Sequence, residues 1–115
     1  MPFTLASIII DTADLEPEST FWHRLLGGTL TVTPTHHFLQ PDGLPVIVIQ
    51  LAPGHVPPTW PDPGVPQQLH IDLRTADLTT ADRQALDAGA RRLRTSATSN
   101  VYTSPSGHPF CLRQT

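Results

Sequence analysis

One order of elements is written twice in this chain, and that repeat constrains the fold more than any other feature. TLASIIIDT (residues 4–12) is apolar and β-branched and reads as a strand. Asp14-Leu-Glu-Pro17 follows, with proline where a first helical turn tolerates it. Residues 18–27, ESTFWHRLLG, then place Phe21, Trp22, Leu25 and Leu26 on one helical face, closed by Gly27. In the second copy QQLHIDLRT (67–75) is a strand alternating Leu69, Ile71 and Leu73 against His70, Asp72 and Arg74. Asp77-Leu-Thr-Thr leads into a helix through Ala88, stopped by Gly89. Strands follow each helix: 29–35, 36–40 and 45–52 after the first, 90–96, 100–104 and 109–114 after the second. A Pro-Asp-Gly turn at 41–43 has its counterpart in Ser-Pro-Ser-Gly at 104–107. Each half therefore reads βαβββ.

Proline marks the joint. Six of the chain's thirteen prolines fall in residues 53–66, PGHVPPTWPDPGVP, a run that sustains neither a helix nor a regular ladder. It divides a single domain of 115 residues into a module at 3–52, a connector at 53–66 and a module at 67–114. Either half alone is too small for a comfortable core, so the two are expected to share one or to pair with another chain.

The remaining composition excludes partners more than it names them. No apolar run approaches the ~18 residues of a membrane span, and the opening Met1-Pro-Phe-Thr has no leader pattern. The single cysteine makes no internal disulfide and suits a reducing cytoplasm. Net charge is −3, and the densest basic cluster, Arg91, Arg92 and Arg94, is too small to track a phosphate backbone. Neither nucleic acid nor membrane is an expected partner.

The doubled βαβββ pattern, the Leu26-Gly27-Gly28 helix ending and the closing Ser-Pro-Ser-Gly-His-Pro-Phe hairpin carry a family resemblance. Together they resemble the vicinal oxygen chelate superfamily: glyoxalase I, extradiol dioxygenases, fosfomycin-modifying enzymes and bleomycin-binding proteins. LHIDLRTADL, DAGARRL and SPSGHPFCL are particularly similar to the small bacterial glyoxalase-like domains, and the resemblance spans residues 4–114. It implies an α+β fold in which two βαβββ modules form a curved eight-stranded cleft with helices outside. It also implies a homodimer.

Metal enzymes of that superfamily take one ligand from the first and one from the last strand of each module. By resemblance these positions fall on Ser7, Gln50, His70 and Cys111, with Gln50 and Cys111 standing where the enzymes have glutamate. One imidazole, one thiol, one amide and one hydroxyl are a poor set for a catalytic divalent metal. No metal and no other cofactor is therefore expected at these four positions.

Strand periodicity places His70 on one face with Asp72 and Arg74, and Cys111 on one face with Arg113, opposite Phe110 and Leu112. His70 reads either as a general base or ligand-orienting donor, or as a strand histidine satisfied by a neighbour. Cys111 reads as a packed thiol before it reads as the partner of an imidazole. Arg113 and Arg74 can clamp an anionic group or simply face solvent. Trp60, in the connector, is either an aromatic wall for a planar ligand or a plug that packs the connector down. Adjacent His36 and His37 must point to opposite faces, and His23, His55 and His108 are expected at the surface.

The function expected is binding of a small apolar or aromatic molecule, in sequestration or resistance. His70 would be the catalytic candidate, and Ser7, Gln50, Asp72, Cys111, Arg113 and Trp60 the ligand-binding ones. The alternatives are a lyase, isomerase or cyclase using His70 as acid/base, and a metal-dependent glyoxalase- or dioxygenase-type enzyme.

Overall fold

The segment that opens each module forms a strand only where it pairs with the module's last strand. The computed structural model describes residues 2–115; Met1, the first residue of the segment read for a leader, lies outside them. β1 (Ile8–Thr12) leads into α1 (Leu15–Leu26), followed by β2 (Thr29–Val32), β3 (His36–Gln40) and β4 (Ile47–Leu51). β5 (Ile71–Thr75), α2 (Leu78–Ala88), β6 (Arg91–Thr95), β7 (Ser99–Thr103) and β8 (Pro109–Gln114) repeat that order. Both expected helices and all eight strands are present, with shorter first strands. Residues 4–7 and 67–70 precede β1 and β5, so Ser7 and His70 each stand one residue before a strand.

Each module is a four-stranded sheet with one helix. The strand orders are β1-β4-β3-β2 and β5-β8-β7-β6, with the first strand parallel to the last and the other pairs antiparallel. The Asp that opens each helix is held by a threonine two residues earlier. Asp14 N–H donates to Thr12 Oγ1 (3.2 Å) and Asp77 N–H to Thr75 Oγ1 (3.2 Å). Asp77 also caps α2, its carboxylate accepting from Thr80 N–H (3.1 Å) and Thr80 Oγ1–H (2.7 Å). These bonds hold its carboxyl below the usual aspartate range.

In the first module α1 packs on β3 and β4. Phe21 and Trp22 are fully buried and meet edge to face at 4.9 Å, beside Ile10, Leu39 and Ile49, which are also fully buried. The buried face continues into Glu18 and Ser19 and extends less into Leu25 and Leu26, which are half-buried. Trp22 Nε1–H donates to Glu18 Oε2 at 2.9 Å, one turn back along the helix, and satisfies a carboxylate that would otherwise be costly to bury. Ser19 Oγ lies 2.7 Å from His37 Nδ1, while His36 stacks on Phe38, so the adjacent histidines do take opposite faces.

In the second module a polar pin joins helix to sheet. Tyr102, fully buried and stacked on Phe110 at 5.0 Å, donates its hydroxyl to Asp82 of α2 (2.6 Å). Asn100 Nδ2–H donates to the same phenol (3.0 Å), and Arg92 pairs with the other Asp82 oxygen (2.9 Å). Desolvation, reinforced by the Asp82 carboxylate, pushes the phenol pKa up to about 12.

The repeat is metrically regular. Ile8 and Ile71, Asp14 and Asp77, His36 and Ser99, and Ile47 and Phe110 occupy equivalent places, always 63 residues apart. The second helix is one residue shorter, yet the spacing is restored. A bulge between Arg92 and Arg94 in β6 inserts one residue, after which Arg94 pairs with Val101 as Thr31 pairs with Phe38. The chain divides into contact units after His55, so Val56 onward folds with the second module. Gln68 Nε2–H donates to Val56 O, and Pro57 and Pro58 lie against Gly107 of the β7–β8 turn. His108, expected at the surface, is 1% exposed because Ser104 draws the turn back, its N–H donating to His108 O (2.8 Å) and its Oγ accepting from His108 N–H (3.1 Å). Among the described residues no helix is long and apolar enough to cross a membrane.

Three substitutions test these contacts. Gly28 has φ +90°, and a Cβ there would lie 2.0 Å from Gln40 O, so Gly28→Ala should lower urea-unfolding stability by about 2–3 kcal/mol. Gly54→Ala, where a Cβ meets nothing within 4 Å, should be neutral or slightly stabilising. Tyr102 stays protonated in the folded chain above the ordinary phenol value near ~10, so its contribution is complete below that pH and is lost as pH rises through about 12. Tyr102→Phe should flatten that alkaline fall, followed by denaturation at fixed urea from pH 9 upward.

Candidate functional site

The parallel pairing of β5 with β8 sets Asp72 beside Cys111 and Arg74 beside Arg113. His70, just before β5, reaches over the same row on the face turned away from Phe110. Its Nε2 lies 3.0 Å from Cys111 Sγ and 3.2 Å from Asp72 Oδ1. Three of the expected site residues are thus brought together, across 41 positions of sequence.

Two further contacts fix the cluster. Arg113 Nε–H donates to Asp72 Oδ2 at 2.9 Å, leaving Oδ1 turned to His70. Gln67 Oε1 accepts from His70 Nδ1–H at 3.1 Å, so Nε2 is the ring nitrogen turned to Cys111 and Asp72. Gln67 was not singled out from the sequence; the signal available was a carboxamide three residues before the histidine. Exposure is graded, with Cys111 5% exposed and the His70 and Asp72 side chains 27% and 47%.

The electrostatics follow from this packing. The Arg113 hydrogen bond and charge, aided by His70, hold the Asp72 carboxyl below the ordinary aspartate value. Asp72 in turn raises Arg113. Burial, and then the Asp72 charge, push the Cys111 thiol up, so it is protonated at neutral pH rather than an activated nucleophile. The Asp72–Arg113 pair is about half exposed, so solvent screening leaves it a positioning contact with little effect on stability.

Trp60 joins this group. Its ring stands edge-on to the His70 ring at 5.8 Å, and it also lines a hollow of about 510 Å³ with Pro57, Pro58 and Arg91. Arg74 shares the Arg113 row but makes none of the cluster's contacts.

Ser7 and Gln50 belong to the first module. Ser7 precedes β1 as His70 precedes β5. Gln50 lies in the ladder between Asp11 and His36. The regular spacing shows Gln50 to be the equivalent of Arg113; the first-module residue in the place of Cys111 is Val48. The first module thus offers Ser7, Ile9 and Val48 where the second has His70, Asp72 and Cys111. Hydroxyl, alkyl and alkyl groups do not complete the family's four-ligand metal set, and no reaction step is drawn through such a metal.

The sequence profile of the glyoxalase-like domain family matches residues 7–113. The chain belongs to that family. The fosfomycin resistance protein FosX from Listeria monocytogenes superposes with a TM-score of 0.75 at 16% identity, covering 100% of this chain and 93% of that one. A glyoxalase-related enzyme from Fulvimarina pelagi gives 0.73 at 20% identity, over 97% and 88% of the two chains. TnmS3, an antibiotic-binding protein from Streptomyces sp. CB03234, gives 0.66 at 18% identity, over 99% and 98%. At these identities the likeness establishes the vicinal oxygen chelate fold, in the two βαβββ modules described above. No curated protein matches the sequence.

Replacing Arg113 by Gln should raise the Asp72 carboxyl toward its ordinary range, since the largest stabilising contact is removed. Carbon-13 NMR titration of the carboxyl reads this directly. An unchanged titration would mean that the guanidinium is not what holds the carboxylate down.

Proposed function

We propose that this glyoxalase-like protein binds a small apolar or aromatic molecule, in a sequestration or resistance role. The observation that carries the reading is the accessible polar group of His70, Asp72 and Arg113, with the Trp60 ring edge-on to His70, on the sheet face opposite Phe110. An aromatic body can lie against Trp60 while the three side chains anchor its polar edge. Cys111 lines the floor of that anchor, and Ser7 and Gln50 stay candidate ligand-binding residues of the first module, considered by itself. A fosfomycin resistance protein and an antibiotic-binding protein among the structural neighbours support a resistance-type ligand. No metal at the four family positions is needed.

The homodimer belongs to the same proposal. Phe3, Leu5, Ile9, Val32 and Phe38 of the first module are exposed large apolar side chains, of the kind a second copy covers. A reducing cytoplasm fits the free Cys111 thiol.

A second reading is a metal-independent lyase, isomerase or cyclase with His70 as acid/base. The contact that favours it is Gln67 on Nδ1, which orients the ring and leaves Nε2 to exchange a proton. Loss of turnover in His70→Ala, with the fold retained by circular dichroism, would establish it on any substrate found.

Thermal-shift screening against planar antibiotics and metabolites, followed by titration of tryptophan fluorescence, tests the main reading. Trp22 is fully buried, so the ligand-dependent change should come from Trp60 and vanish in Trp60→Phe. Arg113→Gln should weaken a bound ligand by roughly tenfold, the equivalent of one charged hydrogen bond. A broad screen with no binder, or a binder indifferent to both substitutions, would overturn it.

A further inference from the structure

The ladder that sets Asp72 beside Cys111 carries the same sheet face across to β6. Cys111 pairs with Val101 and Val101 with Arg94; one alternation along, Pro109 pairs with Thr103 and Thr103 with Arg91. Opposed residues share a face, so Arg74, Arg91, Arg94 and Arg113 lie on the face of Cys111, four of the chain's seven basic residues. Asp72 is the one carboxylate in the four strands, and Arg113 is bonded to it. Arg74, Arg91 and Arg94 form no ion pair among the described residues.

Arg91 stands where this face meets the connector. It borders the hollow of about 510 Å³, a volume in the range of small-molecule sites, whose other walls include Trp60, Pro57, Pro58 and Thr103. All of these residues belong to the unit Val56–Thr115. The walls are fixed within the chain itself. Thr59 closes the connector on itself, its N–H donating to Val65 O (2.8 Å) and its Oγ1 accepting from Val65 N–H (2.8 Å). Gly107, at φ +86°, lets the prolines approach the β7–β8 turn; a Cβ there would lie 3.1 Å from Pro57 Cβ. Thr103 is 8% exposed, and its hydroxyl has no hydrogen-bond partner among the described residues. That hydroxyl is left to whatever enters the hollow, water or ligand.

We propose that this hollow binds a flat apolar molecule bearing one carboxylate, its body against Trp60, Pro57 and Pro58 and its carboxylate on Arg91 and Thr103. The guanidinium fork matches the two carboxylate oxygens, and the hydroxyl donates to one of them. Asp62, also on the lining, limits the charge the ligand carries. One of its oxygens accepts from Gly64 N–H (2.8 Å), and its charge offsets part of that of Arg91. A single negative charge is therefore matched better than the two of a phosphate ester. The site goes beyond the proposed ligand site. Of that group it uses Trp60 alone, whose ring borders both the hollow and His70.

The probe is naphthoate, with naphthamide as its uncharged counterpart and naphthyl phosphate as the dianion, each titrated into the full chain by calorimetry. Naphthoate should bind one to one, at least tenfold more tightly than the amide and more tightly than the phosphate. Arg91→Gln should remove the preference for the acid. Thr103→Val should weaken naphthoate roughly tenfold, the equivalent of one hydrogen bond to a charged group, while Thr103→Ser should keep its affinity. Asp62→Asn should tighten it severalfold, all variants being folded by circular dichroism. Backbone amide shifts should move at Gly89, Thr103 and Gly107. His70→Ala and Arg113→Gln should leave naphthoate affinity unchanged. Loss of binding in either, with Arg91→Gln unaffected, would place the ligand on the His70 group and overturn this proposal while leaving that reading intact. Naphthoate binding that depends on Arg91, beside a screen with no binder sensitive to Arg113→Gln, would support this site and fail only that reading. Equal binding of acid and amide, no binding of either, or tighter binding of the phosphate would each overturn the proposal.

Discussion

The parallel pairing of first strand with last is the interaction on which the second module's site depends. β5 opens the module and β8 closes it, and the helix and two strands between them are the path by which the chain returns. A parallel neighbour cannot be reached by a tight turn; it requires a long connection, and here that connection is the rest of the module. Its consequence is chemical. It sets Asp72 against Cys111 and Arg74 against Arg113, and brings His70 onto the same row.

The same pairing in the first module gives the same geometry without the chemistry. β1 and β4 follow an identical register, yet the row holds Ile9, Val48 and Phe38 in place of Asp72, Cys111 and Val101. Helix burial also differs. Trp22 and Phe21 fill the space under α1 by volume, with Glu18 tied to the indole, whereas α2 presents alanines and is fastened by Tyr102 and Asp82. Large apolar side chains need no partner, but the smaller ones leave room for an aromatic ring whose hydroxyl must then find an acceptor. The lost helical residue in the second module and the compensating bulge in β6 show which feature is held fixed. The ladder register is preserved, while the lengths of the elements around it vary.

Much of this is legible in residue order. Alternation puts His70 with Asp72 and Cys111 with Arg113, and separates His36 from His37, because side-chain direction in a strand follows from the pleat alone. The terminal glycines and the opening aspartates mark both helices. Less legible are the contacts that depend on register between distant strands. Gln50 reads by motif as the counterpart of Cys111, but the ladder gives that place to Val48, since a motif does not state how far one strand slides along another. Glu18 and Ser19, polar residues outside the apolar stripe, are buried because the helix face that meets the sheet is wider than that stripe. His108 looks like a turn residue at the surface and is enclosed because its hairpin folds back on Ser104.

The sequence by itself determined the duplicated βαβββ order, the proline joint, the faces of the strands and the family to which such a pattern is similar. These are properties of short windows, set by backbone sterics and the periodicities of helix and strand. Only the tertiary structure decided that an imidazole, a carboxylate and a thiol meet at about 3 Å, with Gln67 and Arg113 fixing their orientation. That meeting depends on the register of two strands separated by most of a module, which is fixed by the packing of the whole sheet and by no local stretch of chain.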